Sequence, residues 1–300
     1  MKRSIEVNLR RFLQVYSLLI FCLLIYHLPV FSAVHPWEHR HPVPLGKTIH
    51  VTYGDNMFVV VGGDAVSSSI LTSPDGITWT SRSSGTTSHL RAVTYGNNIF
   101  AAVGSDGTIL TSPDGITWTL RSSGTASVLY GVTYGNGIFL AVGYGNTVLT
   151  SPDGIAWTQR PFEDASDLHA VAYGNNAFVA VGKNGKIFTS SDGLTWASRP
   201  SGITHDLHGV TFGNNIFVVV GSGGTILTSP DGQKWTLKSY GDTEWWSVIH
   251  AKNTFVVVGY SDTILTSPDG TTWIPRSSGI PYDLVGVAYG NSTLVAVGMH

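Results

Sequence analysis

Cysteine is nearly absent: Cys22 is the only one in 300 residues. It sits inside an apolar N-terminal stretch, so a processed chain has no thiol. That excludes disulfide staples and Cys-based metal sites, and stability must come from packing. Charge is also sparse, at 12% of residues with a formal net charge of −2. No basic face for nucleic acid is implied. Glutamate is scarce beyond the N-terminal stretch, with Glu38, Glu163 and Glu244. No Gly-rich phosphate loop, Ser-His-Asp order or His-Glu-x-x-His motif occurs. No cofactor and no metal are expected; His35, His39 and His41 read as a polar lead-in.

Glycine, in contrast, is abundant, with 35 residues. Many glycines among short apolar runs imply many turns and an all-β chain. Lys2, Arg3, Arg10 and Arg11 precede an apolar run from Phe12 to about Tyr26. A basic start and a short apolar core describe a secretory signal. The expected division is 1–33 as signal peptide (or N-terminal anchor) and 34–300 as one propeller domain. The expected location is secreted or periplasmic, with membrane anchoring by residues 12–31 as the alternative.

The body of the chain repeats. Ser-x-Asp-Gly-x-x-Trp ends at Trp79, Trp118, Trp157, Trp196, Trp235 and Trp273, spaced by 39 residues and by 38 in the last interval. A second marker, Tyr-Gly-Asn-Asn-x-Phe-Val-x-Val-Gly in its fullest form, starts at Tyr53, Tyr95, Tyr134, Tyr173, Phe212, His250 and Tyr289. Each unit reads as four strands; in the second these are about 90–95, 99–104, 108–112 and 117–121. Asn97 and Asn98 tolerate the positive φ of a tight hairpin. Pro113, Asp114 and Gly115 suit the next one. Such units fit radial closure better than an open solenoid. The expected fold is an all-β, seven-bladed β-propeller of four-stranded antiparallel blades. N- and C-terminal strands close the ring, with Trp37 in the outermost-strand position. Strand C of that closing blade has no obvious sequence; residues 27–34 fall there by spacing.

The Ser-x-Asp-Gly-x-x-Trp turns resemble the Asp-box of sialidase-like BNR-repeat propellers, one residue shorter between Asp and Gly. Over 37–298 the repeat also resembles the WD40/YVTN/BNR-like superfamily, which includes photosystem II assembly factor-like propellers. The resemblance implies that Ser73, Asp75, Trp79 and their equivalents are scaffold. It also raises sialidase chemistry, with an arginine triad. Arg82, Arg121, Arg160, Arg199 and Arg276 recur at one repeat position, and Arg40 falls in the same column. Arg91 is then the one arginine left, and no triad is assembled.

A propeller places function where its blades differ. The column before strand A reads Lys47, His89, Val128, Asp167, Asp206, Glu244 and Asp283. Two residues on it reads Ile49, Arg91, Tyr130, His169, His208, Trp246 and Val285. The loops between strands B and C add Asp106, Tyr144, Asn146, Lys183, Lys186, Tyr260 and Asp262. The expected ligand-binding set is His89, Arg91, Tyr130, Asp167, His169, Asp206, His208, Glu244, Trp246 and Asp283. In the Trp245-Trp246 pair one ring is expected in the core and Trp246 at the channel mouth. The leading expectation is a non-catalytic exported propeller that binds a protein or glycan, with no nucleic acid partner. Membrane association is expected only through an uncleaved signal or a membrane-complex partner. Two alternatives stand beside it. One is a glycan hydrolase using Glu244 with Asp206 or Asp167, which needs two carboxylates at a working separation. The other is an assembly factor for a membrane complex.

Overall fold

The computed structural model describes residues 23–27, 38–40, 48–64 and 67–299. Seven four-stranded antiparallel sheets surround one axis. Only six of them are the contiguous blades that the repeat implies. Blade 1 comprises Thr48–Gly54, Met57–Gly63, Ser68–Ser73 and Thr80–Arg82. Blades 2 to 6 begin at Leu90, Leu129, Leu168, Leu207 and Trp245, and blade 6 ends at Ser277. The expectation of a seven-bladed propeller is therefore corrected to six blades. The remaining sector is a composite closing sheet. Its inner strands are Asp283–Gly290 and Thr293–Met299, followed outward by Leu23–His27 and Glu38–Arg40. The physical reason is the tryptophan-ending turn motif, which occurs six times; the closing sheet has no C–D hairpin of that kind. Leu23–His27 pairs with the last strand from Leu23↔Val297 to His27↔Thr293. This segment fills the strand-C slot and lies within the stretch expected to be a signal. Trp37, and the His35 and His41 positions, lie outside the described residues.

The innermost strand A lines the axis and strand B is sandwiched between sheets. Strand B is buried from its second residue onward, as in Phe217–Gly221. It can therefore be apolar on both faces, where a one-sided sheet would alternate. Opposite each B-strand phenylalanine stands the strand-A aromatic, as in Tyr95↔Phe100, with ring centroids 4.7 Å apart. The blade tryptophan lies 6.4 Å beyond that phenylalanine. Phe58, Phe100, Phe139, Phe178, Phe217 and Phe255 are fully buried. Each buried ring contributes on the order of 2–3 kcal/mol.

Neighbouring sheets meet through apolar clusters that mix residues of both, such as Val59 and Val61 of blade 1 with Leu90 and Phe100 of blade 2. At the end of strand A a glycine lies under the next blade's ring. A Cβ on Gly135 would sit 2.2 Å from the Tyr173 ring. The series ends with Gly290 beneath Tyr53, which joins the closing sheet to blade 1. Asn291 Nδ2 also donates to Pro74 O across that joint, at 3.4 Å.

The repeated turns behave as their sequences require. Asn97 and Asn98 have φ of 47° and 60°, and Gly115 has φ of 70°. In the second blade Asp114 Oδ1 accepts from the N–H groups of Ile116 and Thr117, both at 2.8 Å, and from Ser112 Oγ at 3.0 Å. Trp118 Nε1 donates to Gly115 O at 2.9 Å. The recurring arginines are scaffold as well: Arg121 Nε donates to Thr111 Oγ1 at 2.8 Å, and Arg160 repeats this on Thr150 at 2.7 Å.

Candidate functional site: the channel mouth

Strand A does not pair evenly with strand B. In all seven inner strands the register shifts by one residue, between Leu129 and Gly131 for example. The same shift occurs around Ile49, Arg91, His169, His208, Trp246 and Val285. The skipped residue is the second variable column each time. A β-bulge leaves one residue out of the ladder and re-aims its side chain. Repetition of the bulge thus delivers seven side chains of six kinds to one ring.

That ring borders a central cavity of about 910 Å³, lined by strand-A residues of all seven sheets. Five neighbours in the ring touch in sequence. The Arg91 guanidinium carbon lies 5.2 Å from the Tyr130 ring centroid. Tyr130 meets His169 edge-on at 5.6 Å. His169 stacks on His208 at 5.6 Å with 15° between planes. His208 lies 4.5 Å from Trp246. The arc is closed on its other side by the aliphatic Ile49 and Val285. One sector of the mouth therefore carries π faces and hydrogen-bonding nitrogens, while the sector beside the closing sheet is apolar.

Of the expected site residues, Arg91, Tyr130, His169, His208 and Trp246 form this arc, and His89 lines the same cavity. Trp245 is fully buried, so the tryptophan pair divides as its sequence context implies. The acidic members are placed elsewhere. Asp167, Asp206, Glu244 and Asp283 do not line the cavity. Each reaches back to the B–C loop of the preceding blade. Asp167 Oδ1 accepts from Gly145 N at 2.9 Å, Asp206 Oδ1 from Asn184 N at 2.8 Å, and Asp283 Oδ1 from Ser261 N at 2.9 Å. Glu244 Oε2 accepts from Ser222 Oγ at 2.7 Å. Asn184 and Ser261 hold positive φ, 56° and 58°, so the carboxylates brace strained loop backbone. The column varies in sequence, yet in these four copies it does a structural task. Among the described residues no carboxylate lines the cavity.

His208 titrates below the usual imidazole range. Burial is the main cause and the neighbouring His169 adds to it, while Glu244 and Asp206 pull the other way. His50 stands where other strands have small residues. Burial lowers its pKa to about 4, and its Nδ1 accepts from Val93 N at 3.4 Å. Ser222 was not marked by sequence reasoning, although it shares a loop column with Tyr144, Lys183 and Tyr260. Those two tyrosines are exposed on the same face, at 56% each. No group of three or more metal-ligating side chains occurs among the described residues.

A closed ring of four-stranded blades with a bulge-built mouth defines a β-propeller. Residues 37–168 match the profile of the DUF6242 beta propeller domain. Among solved structures, the chain is similar to YCF48 bound to a D1 peptide, at 18% identity and a TM-score of 0.71, covering 90% of this chain and 97% of that one. YCF48 from Cyanidioschyzon merolae follows at 14% identity and TM-score 0.65, with 86% and 97% covered. The WD40 domain of Neurospora crassa Pan2 aligns at 10% identity and TM-score 0.64, with 92% and 95% covered. No curated protein sequence matches the chain.

Proposed function

We propose that this protein is an exported, non-catalytic propeller that binds an extended protein segment across its channel mouth. The carrying observation is the contiguous arc from Arg91 to Trp246, set by bulges around one cavity. Aromatic rings and arginine dominate binding energy at protein interfaces. Exposed Tyr144 and Tyr260 extend the same face outward. The likeness to YCF48, which holds a D1 peptide, supports a protein ligand and a binding or assembly role. Export rests on the basic, apolar N-terminal stretch.

The test is a displayed library of random 12-residue peptides, run beside a glycan array. Wild-type protein is expected to select peptides, and Trp246→Ala to weaken the best of them by about thirtyfold. Selection of glycans with no peptide enriched overturns the reading. Export is checked by fractionating cells that make a C-terminally tagged chain; retention in the cytoplasm overturns it.

A further inference from the structure

The mouth contains a hydrogen-bonded chain that a sticky aromatic surface does not require. Ser222 Oγ gives its one proton to Glu244 Oε2 at 2.7 Å. The same oxygen lies 3.0 Å from His208 Nε2, and can meet it only as an acceptor. The His208 proton is therefore on Nε2, and Nδ1 is bare. His169 is set by a different partner. Its Nδ1 lies 3.0 Å from the Leu207 carbonyl oxygen, which cannot donate, so Nδ1 carries a proton and, in the neutral ring, Nε2 is bare. Two stacked imidazoles thus each keep a free lone pair. At the ends of the arc, Trp246 Nε1 and Arg91 Nε are buried and have no hydrogen-bond partner.

We infer that Glu244 and Ser222 are positioning residues that fix the His208 tautomer, so that the mouth reads a peptide main chain. In this arrangement the two imidazole lone pairs accept peptide N–H groups, between the flanking side chains of Arg91 and Trp246. The inference rests on the proposed protein ligand and adds its recognition chemistry. A buried acceptor left unmatched is costly, so an arc with fixed acceptor positions selects for a segment with matching N–H groups. The groups facing His208 are His169 from blade 4, Asp206 and Ser222 from its own blade, and Glu244 and Trp246 from blade 6. Burial and His169 favour the neutral ring, in agreement with the tautomer that Ser222 requires.

The first experiment needs no ligand. Long-range 1H–15N spectra of the imidazoles are recorded on the free full chain at pH 7.5. His208 is expected with a protonated Nε2 and bare Nδ1, and His169 with the opposite pattern. Ser222→Ala is expected to give His208 mixed tautomers and leave His169 unchanged, and Ser222→Thr to restore the wild-type state. His208 protonated on Nδ1, or on both nitrogens, overturns the inference. The second experiment uses a peptide selected by the wild-type protein, N-methylated at each amide in turn. About a tenfold loss at one or two amides is expected with the wild type, with little further loss in Ser222→Ala. Equal tolerance of N-methylation at every position overturns main-chain reading. Failure to select any peptide removes the protein ligand while the spectra still decide the tautomer.

Discussion

The two ends of the propeller use repetition in opposite ways. At one end the A–B and C–D turns repeat nearly unchanged from blade to blade, and each aspartate there closes its own hairpin. At the other end the same backbone bulge repeats in all seven inner strands while the bulged side chain varies, with histidine alone occurring twice. One end keeps sequence and geometry together. The other keeps geometry and releases sequence, which is how a rigid scaffold carries a site. The difference also warns against equating variation with function. Asp167, Asp206 and Asp283 sit in a variable column, yet each braces the loop of the blade before it.

The comparison can be broken most sharply in the scaffold. Gly135→Ala would place a methyl group 2.2 Å from the Tyr173 ring. We expect a loss of about 3 kcal/mol in chemical denaturation. A change near zero would mean that the blades are not wedged together at these glycines.

Next is the turn aspartate. Backbone N–H groups of Thr195 and Leu194 hold the Asp192 carboxyl down at about 2, below its ordinary 3.8. A depressed carboxyl stabilises the fold above its unfolded pKa, and the contribution fades as pH falls through the folded value. Asp192→Asn is expected to lower the urea midpoint at pH 7. The gap to wild type should close between about pH 4 and 2. A gap independent of pH would sink the assignment.

Asp206→Ala separates bracing from binding. It is expected to cost about 1 kcal/mol and to speed hydrogen exchange at Asn184, whose N–H it accepts. Loss of peptide binding with Asn184 exchange unchanged would return Asp206 to the ligand site. The smallest effect is expected from Arg121→Lys, about 0.5 kcal/mol, because the ammonium lacks the Nε that reaches Thr111. A large effect on binding instead would show that this outer column is not scaffold.

Much of this was legible in the residues. The spacing of Trp79 to Trp273 gave the blade length, Asn97-Asn98 and Asp114-Gly115 gave the hairpins, and Trp245-Trp246 gave a core ring beside a mouth ring. The blade count was legible only in part. Six motifs marked six blades, but backbone pairing supplies a strand from residues 23–27 that has no repeat signature. The bracing contacts of the acid column were not legible for a related reason. A hydrogen bond from Asn184 N to Asp206 Oδ1 joins residues 22 apart in neighbouring blades, and one-dimensional spacing does not show which carboxylate meets which amide. Ser222 escaped for the same cause, since its partners His208 and Glu244 lie on different sheets.

The sequence by itself determined the local structure: a 39-residue period, hairpins enforced by positive-φ Asn and Gly, and two-sided apolar strands that must be sandwiched. These follow from steric preferences and burial acting over a few residues. Only the tertiary structure decided what the variable columns do. Closure of the ring brings residues from successive blades within hydrogen-bond distance, and it is that contact which turns Asp206 into a brace, fixes the proton on His208 and aligns five side chains into one arc.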